Sequence, residues 1–245
     1  MAMLECRLLP AADADGPHNM AADEALLDSA TAGVASLRFY GWTVPTLTLG
    51  YFQSAAVRRT ACLAGLPWVR RPSGGAALVH HREITYALAL PAGPPWQHRC
   101  ESWIRQIHLV IQSALASFGI ESRLCTASEG RKLAEVLCFL HHTTDDLLIG
   151  TAKIAGSAQR KHRGAIVQHG GILLAGSAVT PELPGIAELT GDTLSPNQVS
   201  ASVIEALGRR HGWALVAADW TVPERRRIEE LATEKYLSPS WNEKR

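Results

Sequence analysis

Lys153 opens the run Lys153-Ile154-Ala155-Gly156-Ser157-Ala158-Gln159-Arg160, with small and apolar residues rather than charges at its side. A lysine partly withdrawn from water becomes a strong hydrogen-bond donor or an acid of tunable strength. The competing reading is a surface lysine whose stem lies along the protein while its ammonium stays wet. Fifteen positions earlier stands Cys138-Phe139. If the chain returns on itself between them, the two side chains meet. A neighbouring ammonium lowers a thiol's pKa and raises the fraction of thiolate, the nucleophilic form. Free cysteines are more often small buried hydrophobes, so spacing alone leaves Cys138 one thiol among Cys6, Cys62, Cys100, Cys125 and Cys138.

A second segment with chemical promise is Arg70-Arg71-Pro72-Ser73-Gly74-Gly75-Ala76-Ala77-Leu78-Val79-His80. Adjacent glycines let backbone approach a ligand closely and aim N–H groups at an anion or carbonyl. An ordinary hairpin turn carrying two surface arginines reads equally well. No lysine follows the glycines as a nucleotide-binding P-loop requires. Gln168-His169-Gly170 places a histidine at a strand end, where it orients a substrate group or is simply a satisfied structural histidine. His141-His142 with Asp145-Asp146, and His80-His81, offer metal-ligand types without a diagnostic spacing, so no metal is expected. Arg160-Lys161-His162-Arg163 reads as a solvated face or as a rim that meets an acidic protein.

These residues need a frame. Asn19 caps an expected helix through Met20–Leu27, with Asp23 and Glu24 complementing its positive end. Leu37–Tyr40 and Thr46–Leu49 alternate as half-buried strands that pair as a hairpin around Val44-Pro45. Trp68–Arg70 and the alternating Ile84, Tyr86, Leu88 and Leu90 predict further strands. The spacing of Ile104, Ile107, Ile111, Leu115 and Phe118 predicts a helix over 101–118, stopped at Gly119. Leu147–Ile149 and Ile166–Gln168 are strands, the second continuing through Ile172–Leu174 past a bulge at Gly170-Gly171. Helices begin at Ser195-Pro196 and Pro223. Strands interleaved unevenly with helices give an α+β fold, a mixed β-sheet flanked by helices, with 1–245 as one domain.

Composition narrows the partners. Lys plus Arg (24) nearly balances Asp plus Glu (23), net charge +1, which provides no electrostatic case for nucleic acid or a membrane surface. No run approaches the roughly 20 apolar residues of a membrane span, and the start lacks a secretory pattern. Five widely spaced cysteines without C-x-x-C fit free thiols in a reducing cytoplasm.

Taken together, the segments resemble the lipoate-protein ligase A-like family, which includes lipoate ligases and octanoyl transferases and shares a fold with biotin protein ligases. Asn19 to Leu27 is similar to the family's opening helix. Leu37 to Trp42 with Leu49 to Gln53 resembles its first hairpin. Arg70 to His80, followed by Glu83-Ile84-Thr85-Tyr86, is similar to its acyl-pocket segment. Lys153 to Arg160, then Gln168 to Leu174, resembles its lysine signature. Lys235-Tyr236 and Trp241 to Arg245 resemble the end of the octanoyl-transferase branch.

The resemblance implies Cys138 and Lys153 as catalytic residues. It implies a substrate-binding set of Arg70, Arg71, Ser73, Gly74, Gly75, His80, Gly156, Ser157 and His169. The implied activity is transfer of octanoate from octanoyl-acyl carrier protein, through a Cys138 thioester, to the lysine of an apo lipoyl domain or glycine cleavage H protein, with no cofactor. Cys138, Ala76 in place of a third glycine, and a chain ending at Arg245 resemble transferases more than ATP-dependent ligases. A lipoate ligase, an octanoyl amidotransferase acting between lipoyl proteins, and a non-catalytic acyl-binding module are the alternatives.

Overall fold

The computed structural model describes residues 4–60, 63–93, 96–97, 102–130 and 137–245. In chain order the elements are β1 (Glu5–Leu8), β2 (Ala12–Ala14), α1 (Gly16–Thr31), β3 (Ser36–Trp42), β4 (Thr46–Leu49), β5 (Trp68–Arg70), β6 (Leu78–His80), β7 (Glu83–Leu90) and α2 (Trp103–Ala116). There follow β8 (Arg123–Leu124), β9 (Leu147–Ile149), β10 (Ala152–His162), β11 (Ala165–Leu173), α3 (Ile186–Thr190), α4 (Pro196–His211), β12 (Ala214–Ala217), α5 (Val222–Leu231) and α6 (Pro239–Asn242). Two of the sequence's thiols, Cys62 and Cys100, and the expected helix start at Glu101 lie outside the described residues.

The larger sheet runs β12-β1-β3-β7-β11-β10-β9-β8, with β2 pairing β3, and mixes parallel and antiparallel ladders. The fold is α+β as expected. Alternation along the strands sorts two cores. Leu37, Phe39, Ile84, Tyr86, Leu88 and Ile166 face α2 and α4, whereas Tyr40, Trp42, Ala87, Ala89 and Val167 face α1. A smaller sheet, β5-β4-β6, covers the end of the second face, and its apolar side chains pack with Leu137, Phe139 and Leu173.

Local expectations shift in four places. α1 begins before Asn19, because Asp15 accepts the His18 backbone N–H and Pro17 pre-sets the first turn. Asn19 is instead buried inside the helix, donating to the Ala14 and Gly41 carbonyls, and Asp23 lies well past the first turn. β3 and β4 do not form a hairpin, since β3 pairs with β1 and β7 while β4 pairs with β5 and β6 in the other sheet. Both faces of β4 are buried, so its alternation did not report a single core side. Finally, Gly170 and Gly171 sit in an unbroken register with β7 and β10. The irregularity is on β10, between Lys153 and Ala155.

Candidate active site

The bulge on β10 decides where Lys153 points. Ile154 and Ala155 both enter the α2-facing core, which a regular strand would not allow for neighbours, and Lys153 is freed to the other side. Its ammonium is nearly inaccessible, with the side chain 3% exposed. Nζ lies 2.7 Å from Asp146 Oδ2, 3.2 Å from the His141 carbonyl, 3.5 Å from the Cys138 carbonyl and 3.9 Å from Cys138 Sγ. It also stands 5.4 Å over the Phe139 ring. The snorkelling alternative is excluded by this burial.

Cys138 heads a single 3-10 turn, Cys138–Leu140. The turn is fastened to the small sheet by the Cys138 N–H to the Ala77 carbonyl (2.6 Å), a bridge between Ala77 and Leu137, and Phe139 buried in the third core. Cys138 itself is half-buried, whereas the thiols of Cys6 and Cys125 are buried. Burial pushes the Cys6 thiol up to about 12, against the pull of Arg7. All three are free.

Between the two sheets lies a cleft lined among others by Met20, Tyr40, Leu78, Cys138, Phe139 and Ala158. Arg71, Gly75, His80, Gly156, Ser157 and His169 also line it. Arg71 reaches back over its own turn, giving Nη2 to the Gly74 and Ala76 carbonyls at 2.7 and 2.8 Å. Burial draws its guanidinium below the ordinary value, and negative charge on Cys138 opposes that. Gly75 adopts φ +97°, where a Cβ would also stand 2.7 Å from Arg71 Nη2. The glycine is therefore a requirement of the brace. Gly156 has a different reason: a Cβ there would lie 2.5 Å from Lys153 Cε.

His80 stacks on Trp42 at 3.8 Å and 21°. Its Nδ1 bonds Glu83, and its Nε2 lies 2.9 Å from Thr48 Oγ1. Ser157 joins a second chain. His108 Nδ1 donates to the Asp145 carbonyl, so its Nε2 takes the Ser157 hydroxyl proton at 2.6 Å. Ser157 Oγ then accepts from Tyr86, which accepts from Gln168. Burial lowers the His108 pKa, opposed by its bond to Asp145, and pushes the Tyr86 phenol up to about 12, keeping the imidazole neutral and the hydroxyl intact at neutral pH.

His169 Nδ1 is 2.8 Å from Asp23 Oδ2, and its Nε2 is 2.5 Å from Ser73 Oγ. Asp23 is fully buried, and burial alone would raise its pKa. Arg38, His169 and Tyr40 outweigh that and hold the carboxyl below its usual value.

The structure brings together most of the residues singled out in the sequence, but Arg70, Ser73 and Gly74 do not line the cleft. Arg70 is buried away from the cleft, its guanidinium spent on the carbonyls of Gly50, Tyr51, Gln53 and Asn242. It fastens the C-terminal segment and, fully buried, is out of a substrate's reach. Ser73 and Gly74 stand behind the lining, at the turn.

Sequence reasoning missed Asp146 and Asp23. Asp146 was seen only as a potential metal ligand; it is held by the Thr143 N–H and hydroxyl and pairs with Lys153. Asp23 was read as a helix-end charge. Its signal was its place on the apolar side of α1, where an unpaired acid is too costly to leave.

The family model described as the lipoyl protein ligase A/B catalytic domain matches residues 15–207. The octanoyltransferase LipM of Geobacillus kaustophilus is 31% identical over 93% of this chain and 94% of its own. That of Symbiobacterium thermophilum is 31% identical over 96% and 97%. Among solved structures, a lipoate-protein ligase A bound with ATP superposes with TM-score 0.76 at 20% identity, covering 98% of this chain and 99% of that one. A bipartite lipoate protein ligase of Thermoplasma acidophilum gives 0.76 at 18%, covering 99% and 97%. The sheet order, the cleft between the sheets and these matches lead to one conclusion: this chain belongs to the lipoyl protein ligase A/B catalytic domain family.

Proposed function

We propose that the protein is an octanoyltransferase that takes octanoate from octanoyl-acyl carrier protein onto Cys138 and passes it to the lysine of an apo lipoyl domain or glycine cleavage H protein. The observation that carries this reading is Cys138 Sγ at the edge of the cleft, 3.9 Å from the buried Lys153 ammonium. The relatives' octanoyltransferase activity supports the choice of acyl group.

In the first step the Cys138 thiolate attacks the donor thioester carbonyl. A new C–S bond forms, the donor C–S bond breaks, and the carrier leaves as thiolate. Lys153 faces the sulfur with positive charge, which stabilises the oxyanion of the tetrahedral intermediate. Asp146 holds that ammonium in place. Arg71, Gly75, His80, Gly156, Ser157 and His169 shape the space the acyl chain occupies. In the second step the neutral acceptor amine attacks the enzyme thioester, the C–N bond forms, the C–S bond breaks, and the proton lost by the nitrogen restores the Cys138 thiol. No cofactor takes part.

Mass spectrometry after mixing the protein with octanoyl-acyl carrier protein should show one octanoyl increment on Cys138, absent in Cys138→Ser. Full activity in Cys138→Ser, or modification of an apo lipoyl domain only with free lipoate and ATP, overturns the proposal.

A further inference from the structure

One register row crosses the floor of the cleft. Gly156 of β10 stands opposite Gly171 of β11, Gly171 opposite Thr85 of β7, and Thr85 opposite Tyr40 of β3. All four line the cleft. Directly opposed residues project from the same face of a sheet, so the floor is graded: no side chain at the first two positions, a small one at the third, a large one at the fourth. The next row on that face rises again at His169, which stands between Ala158 and Ala87. The two glycines therefore leave a trough that runs across the strands.

The trough has a chemical direction. A Cβ on Gly156 would lie 2.9 Å from Lys153 Nζ, which is itself 3.9 Å from Cys138 Sγ, so the reacting carbonyl belongs above Gly156. The opposite end is fixed. Thr85 Oγ1 accepts from Trp42 Nε1 at 3.0 Å and donates to Glu83 Oε1 at 2.8 Å, which leaves its methyl as the apolar part that can meet a chain. Behind it the Tyr40 hydroxyl donates to Asp23 Oδ2 at 3.0 Å, and the Arg38 guanidinium lies 3.7 Å from the ring centroid.

Resting on the octanoyltransferase reading, we infer that this row measures the acyl chain: the chain crosses the bare floor at Gly156 and Gly171, and Thr85 stops its methyl end. Neighbouring strands lie about 4.8 Å apart, so Gly156 to Thr85 is about 9.6 Å. An extended octanoyl chain, with C–C bonds of about 1.5 Å in a zigzag, covers about 9 Å from carbonyl carbon to methyl. A ten-carbon chain needs about 11 Å and runs into Thr85 and Tyr40. A six-carbon chain covers only about 6 Å, leaves the far end empty and forfeits the contacts there.

The test reads chain length on the sulfur. Wild type, Gly171→Ala and Thr85→Ser are each mixed with acyl carrier protein charged in equal amounts with six-, seven-, eight-, nine- and ten-carbon chains. The masses on Cys138 are measured before any acceptor is added. Ratios within one sample do not depend on how much of a variant has folded. A methylene accepted or refused by an apolar pocket is worth roughly 10- to 200-fold. Thr85→Ser keeps the hydroxyl and both its bonds and removes only the methyl, so the ratio of nine- to eight-carbon enzyme should rise about tenfold. Gly171→Ala raises the floor midway, and its methyl, 3.2 Å from Glu83 Oε1, asks only a small shift of that carboxyl. The ratio of six- to eight-carbon enzyme should then rise about tenfold or more. Wild-type ratios in either variant, or a wild type charged equally with all five lengths, overturn the measuring row alone. A wild type that takes no acyl group from any carrier overturns the octanoyltransferase reading and the row's role with it.

Discussion

Three cysteines among the described residues share a chemistry but not an environment. Cys6 and Cys125 are buried, and burial holds the Cys6 thiol up at about 12, whereas Cys138 is half-buried beside an ammonium. Because the thiolate is the reacting species, iodoacetamide at neutral pH should alkylate Cys138 well before Cys6 or Cys125 in the native protein. Peptide mapping after brief labelling checks this. Equal labelling would mean that Cys138 is no more open to a reagent than the two buried thiols. Gly156 provides a sharper probe. A methyl group there collides with the end of Lys153 and breaks its buried pair with Asp146, so Gly156→Ala should lower the Tm by roughly 5 °C or more. The displaced ammonium would leave Asp146 and Cys138, and Cys138 acylation should fall by about 100-fold or more.

At the scale of elements, the site depends on contacts that look remote from it. α1 brings Asp23 to His169 and is itself held from behind: Glu224 at the start of α5 pairs with Arg7 of β1 at 2.6 Å and accepts from Ser29 of α1 at 2.6 Å. Burial works against the Glu224 charge, but those bonds and the Thr221 cap bring its pKa down to about 2. In the unfolded chain a glutamate titrates near 4.3. The depressed folded value means that this stabilisation is whole above the unfolded pKa and is lost as pH falls through the interval down to about 2. Glu224→Gln should therefore lower the Tm at pH 7 and flatten its dependence on pH between about 4.5 and 2. A wild-type profile matching the variant's across that window would show that the ion pair contributes nothing.

Over the whole molecule, the cleft exists because two sheets meet without filling the space between them. The α1-facing side of the large sheet forms its floor with Tyr40, Thr85, His169 and Gly171, and the small sheet contributes Thr48, Leu78 and His80 from the other side. A ligand that fills this space binds the folded state only. Octanoate at 100 times its Kd should add about 2.7 kcal/mol. For a chain of this size that raises the Tm by roughly 5–10 °C. Differential scanning fluorimetry against octanoate concentration would show a saturable shift; no shift at saturating ligand would remove the cleft as the acyl site.

Local pattern by itself determined the mixed α+β class, the strand through Ile84–Leu90 and the amphipathic helix ending before Gly119, because these rest on period, capping and turn chemistry within a few residues. The segments around Gly75, Cys138, Lys153 and His169 stood level with bland alternatives until the family resemblance singled them out, and that resemblance, not spacing, paired Cys138 with Lys153. Tertiary structure alone decided the rest. A strand buried on both faces carries no sign of which sheet it joins, so β4 was given the wrong partner. A bulge is set by the neighbouring strand's register, so it was sought at the glycines and found at Lys153. Two consecutive arginines look alike in sequence, yet Arg70 fastens the C-terminal segment and Arg71 braces the cleft, since which carbonyls surround each depends on chain distant from both. The counter-charges are the deepest case. Asp146 and Asp23 gained their roles only when folding buried Lys153 and His169 beside them, where the loss of water makes a fixed partner worth far more than it is along an open chain.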